Sequence, residues 1–382
     1  MRVLFVNSRR EWQLEWGGDS TQVVQTRRAL ERLGVCVDVA EGELRLSDLA
    51  AYDLVHVFNI QTALTGLRDV LAAKEAGNPI ALSPIYWDMR HLERDATKLF
   101  PRGWSLMADL LGRLHWRALY TARTLKAAPR RRRVHRAAKQ MLALADVLLP
   151  NSYAEMEALV WTFNAASLRQ KAFVVPNAAD VLPPQPSDRP AGLRLPGEYV
   201  LEVGRLEPTK GQMALLQALA DVPSIPLVFV GRGQETVYGR ECVRLGSIRG
   251  NTFFLGEIPR HQLGYIYECA KVHALPSLRE SPGLATLEAA AHGANCVVSI
   301  HGPVLEYFGQ DAWYCDPSDI RSIRSAVLAA WAAPRTGNLR QKVLTRFTWH
   351  KAAEMTLAAY RWLLGLGDSR DDRALGHGDA AW

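Results

Sequence analysis

The chain has 382 residues, of which 48% are hydrophobic and 22% are charged, a balance typical of a globular protein with ample core. Its length favours two domains, and no apolar run approaches the length of a membrane-spanning helix. Residues 1–8 are too short and too strand-like for a signal peptide. The five cysteines are widely spaced without a C-x-x-C pair, which argues against a zinc site or a disulfide framework and suits a reducing cytoplasm.

The charge is concentrated in one segment. Residues 90–139 carry fourteen Lys and Arg and three acidic residues, whereas the whole chain has a net charge of +7, so the rest of the chain is net acidic. The segment includes four adjacent arginines, Arg130 to Arg133. Three interpretations are open: a solvated basic face of an extra helical pair, a surface for anionic lipid or a phosphorylated acceptor, and a nucleic-acid site. The third is disfavoured because no nucleic-acid reading motif accompanies the charge.

Short apolar strands alternate with helices through the first half of the chain. The predicted strands are Val3–Val6, Val35–Val39, Leu54–Phe58, Ile80–Leu82 and Asp146–Leu149, and the predicted helices are Thr21–Leu33 and Leu64–Ala76. This alternation is typical of a parallel sheet with right-handed crossovers, and such sheets bind ligands at the carboxyl ends of their strands. Residues 7–20 are predicted as a loop at one such end, and this loop contains Gly17 and Gly18.

A second α/β pattern begins with the predicted strand Tyr199–Val203. It leads into the loop Gly204-Arg-Leu-Glu-Pro-Thr-Lys-Gly211 and then into a predicted helix at 213–220. A strand end, two cations and a helix start are groups that together bind a diphosphate. Arg205 can fork onto phosphate oxygens, and Lys210 supplies a mobile point charge.

Residues 274–293 predict the end of a strand, a loop and a helix. Glu280 lies on the loop, Gly283 lies at the helix start, Glu288 lies on the helix and Gly293 ends it. The helix start suits a phosphate, and a carboxylate on each side of it suits hydrogen bonds from neutral hydroxyls. A nucleotide sugar has this order of groups, with sugar hydroxyls, two phosphates and ribose hydroxyls.

The spacing of Glu280 and Glu288 resembles the E-x7-E signature of the family 4 retaining glycosyltransferases, or glycosyltransferase group 1. Residues 204–211 are similar to the family's G-R-L-x-x-x-K-G loop, and residues 176–180 resemble its P-N-G-V-D turn. Ser281-Pro282-Gly283 replaces the family's usual Gly-Phe-Gly and makes the loop stiffer. The resemblance implies an α/β GT-B fold, with two Rossmann-like parallel-sheet domains facing a central cleft and a C-terminal helix crossing back to the first domain.

The resemblance also implies which residues act. Glu280 would contact the donor sugar and Glu288 the nucleotide ribose, while the two cations stabilise the leaving diphosphate. We therefore predict three catalytic residues, Glu280, Arg205 and Lys210. The predicted donor-binding residues are Gly18, Gly204, Gly231, Gly256, Gly283, Leu284 and Glu288. No D-x-D sequence occurs, so we predict no metal, and no cofactor besides the nucleotide sugar that serves as substrate.

Many members of this family place a histidine of the first domain near the sugar. Here the loop after the strand Ile80–Leu82 lacks the usual pattern. It offers Tyr86, Asp88 and His91 as candidates for that position.

We predict five segments in chain order. Residues 1–182 form the acceptor-side domain with a basic helical insertion near 90–140, and residues 183–197 form a proline-rich linker. Residues 198–346 form the nucleotide-sugar domain, residues 347–365 the crossover helix, and residues 366–382 a flexible tail.

The predicted function is a retaining, metal-independent hexosyl transfer from a nucleotide sugar to a glycan or lipid-linked acceptor, in the synthesis of a cell-surface polysaccharide or glycolipid. The predicted location is the cytoplasm, with Arg130, Arg131, Arg132 and Arg133 as a contact to the inner face of the cytoplasmic membrane. The alternative is a catalytically decayed GT-B protein that serves as a membrane-associated binding or scaffold module. Nucleic acid is not a predicted partner.

Overall fold

The computed structural model describes residues 1–9, 17–40, 44–87, 129–179, 181, 194–278 and 280–366. The described residues form two compact units. The first unit contains those up to residue 87, residues 129–177 and residues 349–366. The second unit contains those between residues 178 and 348. The predicted candidates Asp88 and His91 lie outside the described residues, as do residues 183–193 of the predicted linker and the tail from residue 367.

A five-stranded parallel sheet forms the centre of the first unit. Its strands are β1 (Arg2–Asn7), β2 (Cys36–Val39), β3 (Leu54–Phe58), β4 (Ile80–Ser83) and β5 (Val147–Leu148), in the order β2-β1-β3-β4-β5. All neighbouring strands run parallel. Every residue of β3 and β4 is buried, because helices cover both faces of a parallel sheet. The predicted parallel sheet is therefore confirmed.

The helices that follow in this unit are α1 (Gly18–Arg32), α2 (Leu46–Leu49), α3 (Ala63–Glu75), α4 (residues 129–144) and α5 (Tyr153–Phe163). The prediction that residues 7–20 form a loop was wrong at its end, because α1 already begins at Gly18. The Oγ of Ser20 accepts a hydrogen bond from the amide of Gly17 at 3.2 Å, and Asp19 places its negative charge in the first turn. Both contacts stabilise a helix start.

The second unit contains a six-stranded parallel sheet. Its strands are β6 (Tyr199–Val203), β7 (Leu227–Val230), β8 (Thr252–Phe254), β9 (Ala270–Leu275), β10 (Asn295–Ser299) and β11 (Trp313–Cys315), in the order β11-β10-β9-β6-β7-β8. Its helices are α6 (Gln212–Ala218), α7 (Val237–Arg249), α8 (Arg260–Cys269), α9 (Leu284–Ala291), α10 (Val304–Phe308), α11 (Ile320–Ala332) and α12 (Asn338–Arg346). β6 and β9 are neighbours at the centre, so the loops after these two strands meet.

The last described helix, α13 (Trp349–Leu363), belongs to the first unit and packs against α1. The hydroxyl of Tyr360 on α13 lies 2.5 Å from Nδ1 of His56 on β3, and Nε2 of His56 lies 2.9 Å from the Oγ of Ser83. Burial lowers the pKa of His56 to about 3, so the ring is neutral and can donate at one nitrogen and accept at the other. This buried hydrogen-bond chain fixes α13 to the centre of the first sheet.

No helix among the described residues is long and apolar enough to cross a membrane.

Candidate active site

Two loops of the second unit meet beyond the carboxyl ends of β6 and β9. The first connects β6 to α6 and contains Lys210, and the second connects β9 to α9 and contains Glu280. The backbone carbonyl of Thr209 accepts hydrogen bonds from the amide of Leu278 at 2.9 Å and from the Oγ of Ser277 at 2.8 Å. These contacts hold the two loops together at the place where a parallel sheet binds its ligand.

Gly211 at the end of the first loop shows how closely the backbones approach. Its φ is +86°, and a Cβ there would lie 2.3 Å from the carbonyl oxygen of Pro276. Only glycine combines this conformation with this contact. A larger residue at position 211 would push the two loops apart.

The side chains of Lys210 and Glu280 form a direct ion pair across the two loops. They are 23% and 12% exposed, so the pair is largely shielded from water. The stem of Lys210 lies against Gly204, at the end of β6. The structure therefore brings together two of the predicted catalytic residues, with the ammonium held by a carboxylate beside α9.

Arg205, the third predicted catalytic residue, lies apart from this pair. Its side chain is 50% exposed, and its Nη2 lies 3.5 Å from the Oε2 of Glu207 on the same loop. Among the described residues, no hydrogen bond or ion pair joins Arg205 to Lys210 or Glu280. Its carbonyl oxygen accepts a hydrogen bond at 3.0 Å from the side chain of Gln212, which anchors the loop to α6.

A buried carboxyl group lies near this pair and was missed in the sequence. Glu202 is on β6, 1% exposed, and neither of its oxygens has a hydrogen-bond partner within the described part of the chain. Burial raises the pKa of Glu202 well above its usual range; the charge of Lys210 opposes this effect, and that of Glu280 adds to it. The sequence carried a signal, because an acidic residue interrupts the apolar run Tyr199–Val203.

Glu288 lies on α9 and is held by two residues of α8. Its Oε1 lies 2.9 Å from Nη2 of Arg260, and its Oε2 accepts a hydrogen bond from the hydroxyl of Tyr267 at 3.0 Å. Burial, followed by the negative charge of Glu288, raises the pKa of Tyr267 well above its usual value, so the phenol remains a donor. Sequence reasoning found neither Arg260 nor Tyr267.

The start of α9 separates the two carboxylates. Gly283 precedes the helix and Leu284 is its first residue. The carbonyl oxygen of Gly283 accepts hydrogen bonds from the amides of Thr286 at 3.0 Å and Leu287 at 3.1 Å. A Cβ on Gly283 would lie 3.5 Å from the Oε2 of Glu280. The predicted donor-binding residues Gly283 and Leu284 therefore lie next to the ion pair.

Three of the other predicted donor-binding residues meet at the ends of β6, β7 and β8. The amide of Gly231 donates to the carbonyl of Gly256 at 2.7 Å, and a Cβ on Gly231 would lie 2.0 Å from the carbonyl of Gly204. The φ of Gly231 is +144°, which also favours glycine. The three glycines bring three strand ends into backbone contact.

Gly18 is the one predicted donor-binding residue of the first unit, where it begins α1. Nearby, the guanidinium of Arg9 donates to both carboxylate oxygens of Asp19 at 2.8 Å.

Tyr86, a candidate for the position that the family's histidine occupies, has its amide 2.6 Å from the Oε1 of Glu155 and its hydroxyl 3.1 Å from the Oγ1 of Thr162. These contacts fix Tyr86 against α5.

The described residues contain no group of three or more His, Cys, Asp or Glu side chains placed to hold a metal ion. None of the five cysteines, all of which lie in the described part of the chain, forms a disulfide bond. Burial raises the pKa of Cys242 and Cys315 to about 12, so these two are protonated core residues.

Residues 186–343 match the model of the family described as glycosyl transferases group 1. The chain carries a glycosyl transferases group 1 domain. This family prediction is thereby confirmed. The matched region contains the two loops, the Lys210–Glu280 pair and Glu288.

The curated relatives that this chain is similar to are named as glycosyltransferases. O-antigen chain mannosyltransferase B of Escherichia coli is 31% identical over 43% of this chain and 46% of its own length. D-inositol 3-phosphate glycosyltransferase of Segniliparus rotundus is 29% identical over 62% of this chain and 56% of its own length. D-inositol 3-phosphate glycosyltransferase of Corynebacterium jeikeium is 26% identical over 91% of this chain and 92% of its own length. The chain thus spans about half of the first two relatives.

Solved structures of glycosyltransferases show the same fold. Sucrose-phosphate synthase from Thermosynechococcus elongatus has a TM-score of 0.69 at 20% identity, covering 96% of this chain and all of that one. Anabaena Alr3699/HepE in complex with UDP has a TM-score of 0.67 at 18% identity, and the match covers 95% of this chain and 100% of that one. The predicted GT-B class, with two parallel-sheet α/β domains, is confirmed.

Proposed function

We propose that the protein is a retaining glycosyltransferase that moves a sugar from a nucleotide-diphosphate sugar to a glycan or lipid-linked acceptor. The observation that carries the proposal is the Lys210–Glu280 pair beside the start of α9, with Glu288 further along the same helix. An ammonium, a helix start and two carboxylates match the charges and hydroxyls of such a donor. Two relatives carry names that fit this class, a mannosyltransferase and an inositol 3-phosphate glycosyltransferase.

Each group has one role in the proposed reaction. Lys210, Arg205 and the start of α9 bind the diphosphate and stabilise the charge that grows on it as the glycosidic bond breaks. Glu280 accepts hydrogen bonds from the sugar hydroxyls, and Glu288 accepts them from the ribose. The transition state has oxocarbenium character, and the leaving phosphate takes the proton of the attacking acceptor hydroxyl on the same face of the sugar. Protein cations then supply the charge stabilisation without a metal.

In this proposal Lys210 exchanges its partner when the donor binds. Before the donor binds, Lys210 neutralises Glu280 and lowers the cost of keeping that carboxylate out of water. When the diphosphate arrives, the flexible lysine can turn its charge to the phosphate. Glu280 is then free to accept hydrogen bonds from the hydroxyls of the sugar.

The base of the nucleotide lies, in this proposal, against the contact of Gly204, Gly231 and Gly256. These strand ends offer backbone groups and leave little room for side chains. Backbone amides and carbonyls can select one base by their hydrogen bonds, but the side chains of the sequence do not indicate which base that is. A comparison of UDP, GDP and dTDP identifies it.

The basic surface of α4 is a second part of the proposal. Arg130, Arg131, Arg132 and Arg133 are all exposed, whereas Met141 further along the helix is fully buried in the first unit's core. These four arginines occupy the exposed first turn of a helix that is anchored further along. In this proposal they contact the anionic inner face of the cytoplasmic membrane, each contributing about 1 kcal/mol. Such contact would bring the enzyme to a lipid-linked acceptor.

A binding screen followed by a turnover assay tests the proposed reaction. UDP, GDP and dTDP are compared by thermal shift, since a nucleotide at a hundred times its Kd stabilises the fold by about 2.7 kcal/mol. Nucleotide sugars that carry the bound nucleotide are then assayed for release of their sugar, once with EDTA and once with Mg²⁺. We expect one nucleotide to raise the melting temperature and its sugars to turn over equally well in EDTA. Binding without turnover of any donor would favour the decayed scaffold.

Sedimentation with vesicles tests the membrane contact. Wild type is expected to bind vesicles that contain phosphatidylserine at low salt and to dissociate as salt rises, because exposed charges are screened over about 10 Å at 0.1 M. A variant with Arg130 to Arg133 replaced by Gln should remain unbound and keep wild-type donor hydrolysis. Wild type that ignores these vesicles at low salt would leave the arginines as a solvated face.

A further inference from the structure

Glu288 is held at both of its oxygens by donors from one neighbouring helix. Arg260 is the first residue of α8 and Tyr267 is the eighth, so the two lie about two turns apart on the same face of that helix. One contacts Oε1 at 2.9 Å and the other Oε2 at 3.0 Å. The carboxylate is therefore fixed at two points.

α8 is itself well anchored. Tyr267 is 1% exposed, and its ring stacks on that of His292, just beyond the end of α9, with centroids 5.5 Å apart. The hydroxyl of Tyr199 on β6 donates to the carbonyl of Ile266 on α8 at 2.6 Å. Because Tyr267 is buried and its ring is stacked on His292, its hydroxyl can impose a direction on the Glu288 carboxylate.

Because the Glu288 carboxylate is fixed at two points, the lone pairs that remain for a ligand have defined directions. An ionised carboxylate has about four lone-pair positions, and Arg260 and Tyr267 occupy one on each oxygen. About two positions remain for a ligand. Two adjacent hydroxyls, such as those at C2′ and C3′ of a ribose, would fill them.

We propose that Arg260 and Tyr267 are positioning residues that orient Glu288 toward a vicinal diol and thereby make the site selective for ribonucleotides over deoxyribonucleotides. This inference rests on the proposed function, which assigns Glu288 to the nucleotide. Neither residue touches the donor in this arrangement. They act by fixing where the free lone pairs of Glu288 point.

The test is a comparison of ligands that differ only in the ribose hydroxyls. UDP and GDP are titrated calorimetrically against wild type, each beside its 2′,3′-dideoxy counterpart. A hydrogen bond to a charged group contributes about 1.5–3 kcal/mol, so we expect wild type to bind the ribose form at least about tenfold more tightly. Tyr267→Phe should reduce this ratio to about one third or less, while its affinity for the dideoxy form stays within about twofold of wild type.

Arg260 offers a second, independent pair of variants, because its side chain is 32% exposed and lies at a helix end. Arg260→Gln should also lose the preference for ribose, and Arg260→Lys should restore part of it. The matched control is Tyr199→Phe, which removes a buried phenol hydroxyl that binds the same helix but not Glu288. This control should keep the full ribose preference.

Each outcome separates the inference from the proposed function. Ribose preference that persists in Tyr267→Phe and Arg260→Gln would overturn the positioning role and leave nucleotide binding intact. Equal binding of ribose and dideoxy forms by wild type would overturn it too, because Glu288 would then not bind the ribose. Wild type that binds none of UDP, GDP and dTDP would contradict the proposed function itself.

Discussion

Glu280 and Glu288 lie on opposite sides of one helix start and are buried to nearly the same extent, with side chains 12% and 11% exposed. Their partners differ. Glu280 is on a loop and pairs with Lys210, a single point charge on a flexible stem from a second loop. Glu288 is within α9 and contacts a guanidinium and a phenol that belong to one anchored helix.

We infer from this difference that the two equally buried carboxylates serve two tasks in the proposed reaction. A lysine pair can open, because the ammonium has no fixed geometry and can turn to another anion. The contacts of Glu288 are directional at both oxygens and keep the carboxylate in place. We therefore expect the first carboxylate to affect the chemical step and the second to affect donor binding.

Lys210→Ala is expected to have the largest effect. In the proposed reaction this substitution removes a cation that stabilises the leaving diphosphate. We expect it to raise the barrier for transfer by about 2–4 kcal/mol, or to lower kcat/KM for the donor roughly 30- to 1,000-fold. Arg205→Ala should cost less, because that side chain is half exposed and water screens it. The measurement is initial transfer rate at subsaturating donor.

Lys271→Ala is the matched control for this prediction. Lys271 belongs to the same unit, is also 23% exposed, and has its Nζ 3.3 Å from the Oε2 of Glu198. Its removal should leave donor turnover near that of wild type. If Lys210→Ala is as active as Lys271→Ala, the ammonium does not bind the leaving group.

Glu280→Gln and Glu288→Gln should separate the two tasks directly. Glu280→Gln should mainly lower kcat, because contacts to the sugar tighten as charge develops on it. Glu288→Gln should mainly raise the donor KM, by roughly 10- to 100-fold, because ribose contacts are the same in the ground and transition states. Steady-state kinetics in both variants check this, and the opposite pattern would exchange the two roles.

Glu202 supplies the smallest effect and a contrast with both paired carboxylates. Burial without a partner raises its pKa in the fold, so above the unfolded pKa the folded state holds a proton that the unfolded state has lost. This group therefore lowers stability as pH rises, by at most about 1.4 kcal/mol per pH unit. Glu202→Gln should gain stability relative to wild type as the pH rises from 5 to 6, measured by urea unfolding. A difference that does not change with pH would mean that Glu202 is ionised in the fold.

The sequence predicted the parts of this site that are local. The loop at 204–211, the loop that holds Glu280 and the helix that holds Glu288 follow from spacing, because a strand end, glycines and a helix start lie within a few residues of each other. The two sheets were predicted for the same reason, since strands and helices alternate along the chain. The start of α1 was misplaced, because Gly17 and Gly18 indicated a loop where the contact from Ser20 begins a helix.

The contacts of Glu288 could not be predicted in this way. Arg260 and Tyr267 precede Glu288 by more than twenty residues and meet it only because α8 packs beside α9. No local pattern marks them, since an arginine at a helix start and a tyrosine on a buried face are ordinary residues there. Glu202 is different, because an acidic residue between the apolar residues of a strand is a local feature of the sequence.

The proposed reaction transfers sugar from a nucleotide sugar with retention and without a metal. The most direct measurement is the NMR spectrum of the sugar product first formed from an α-linked donor in the presence of EDTA. We predict that the first product is the α-anomer and that it forms at the same rate in Mg²⁺. An initial β-anomer, or formation only in the presence of Mg²⁺, would contradict the account.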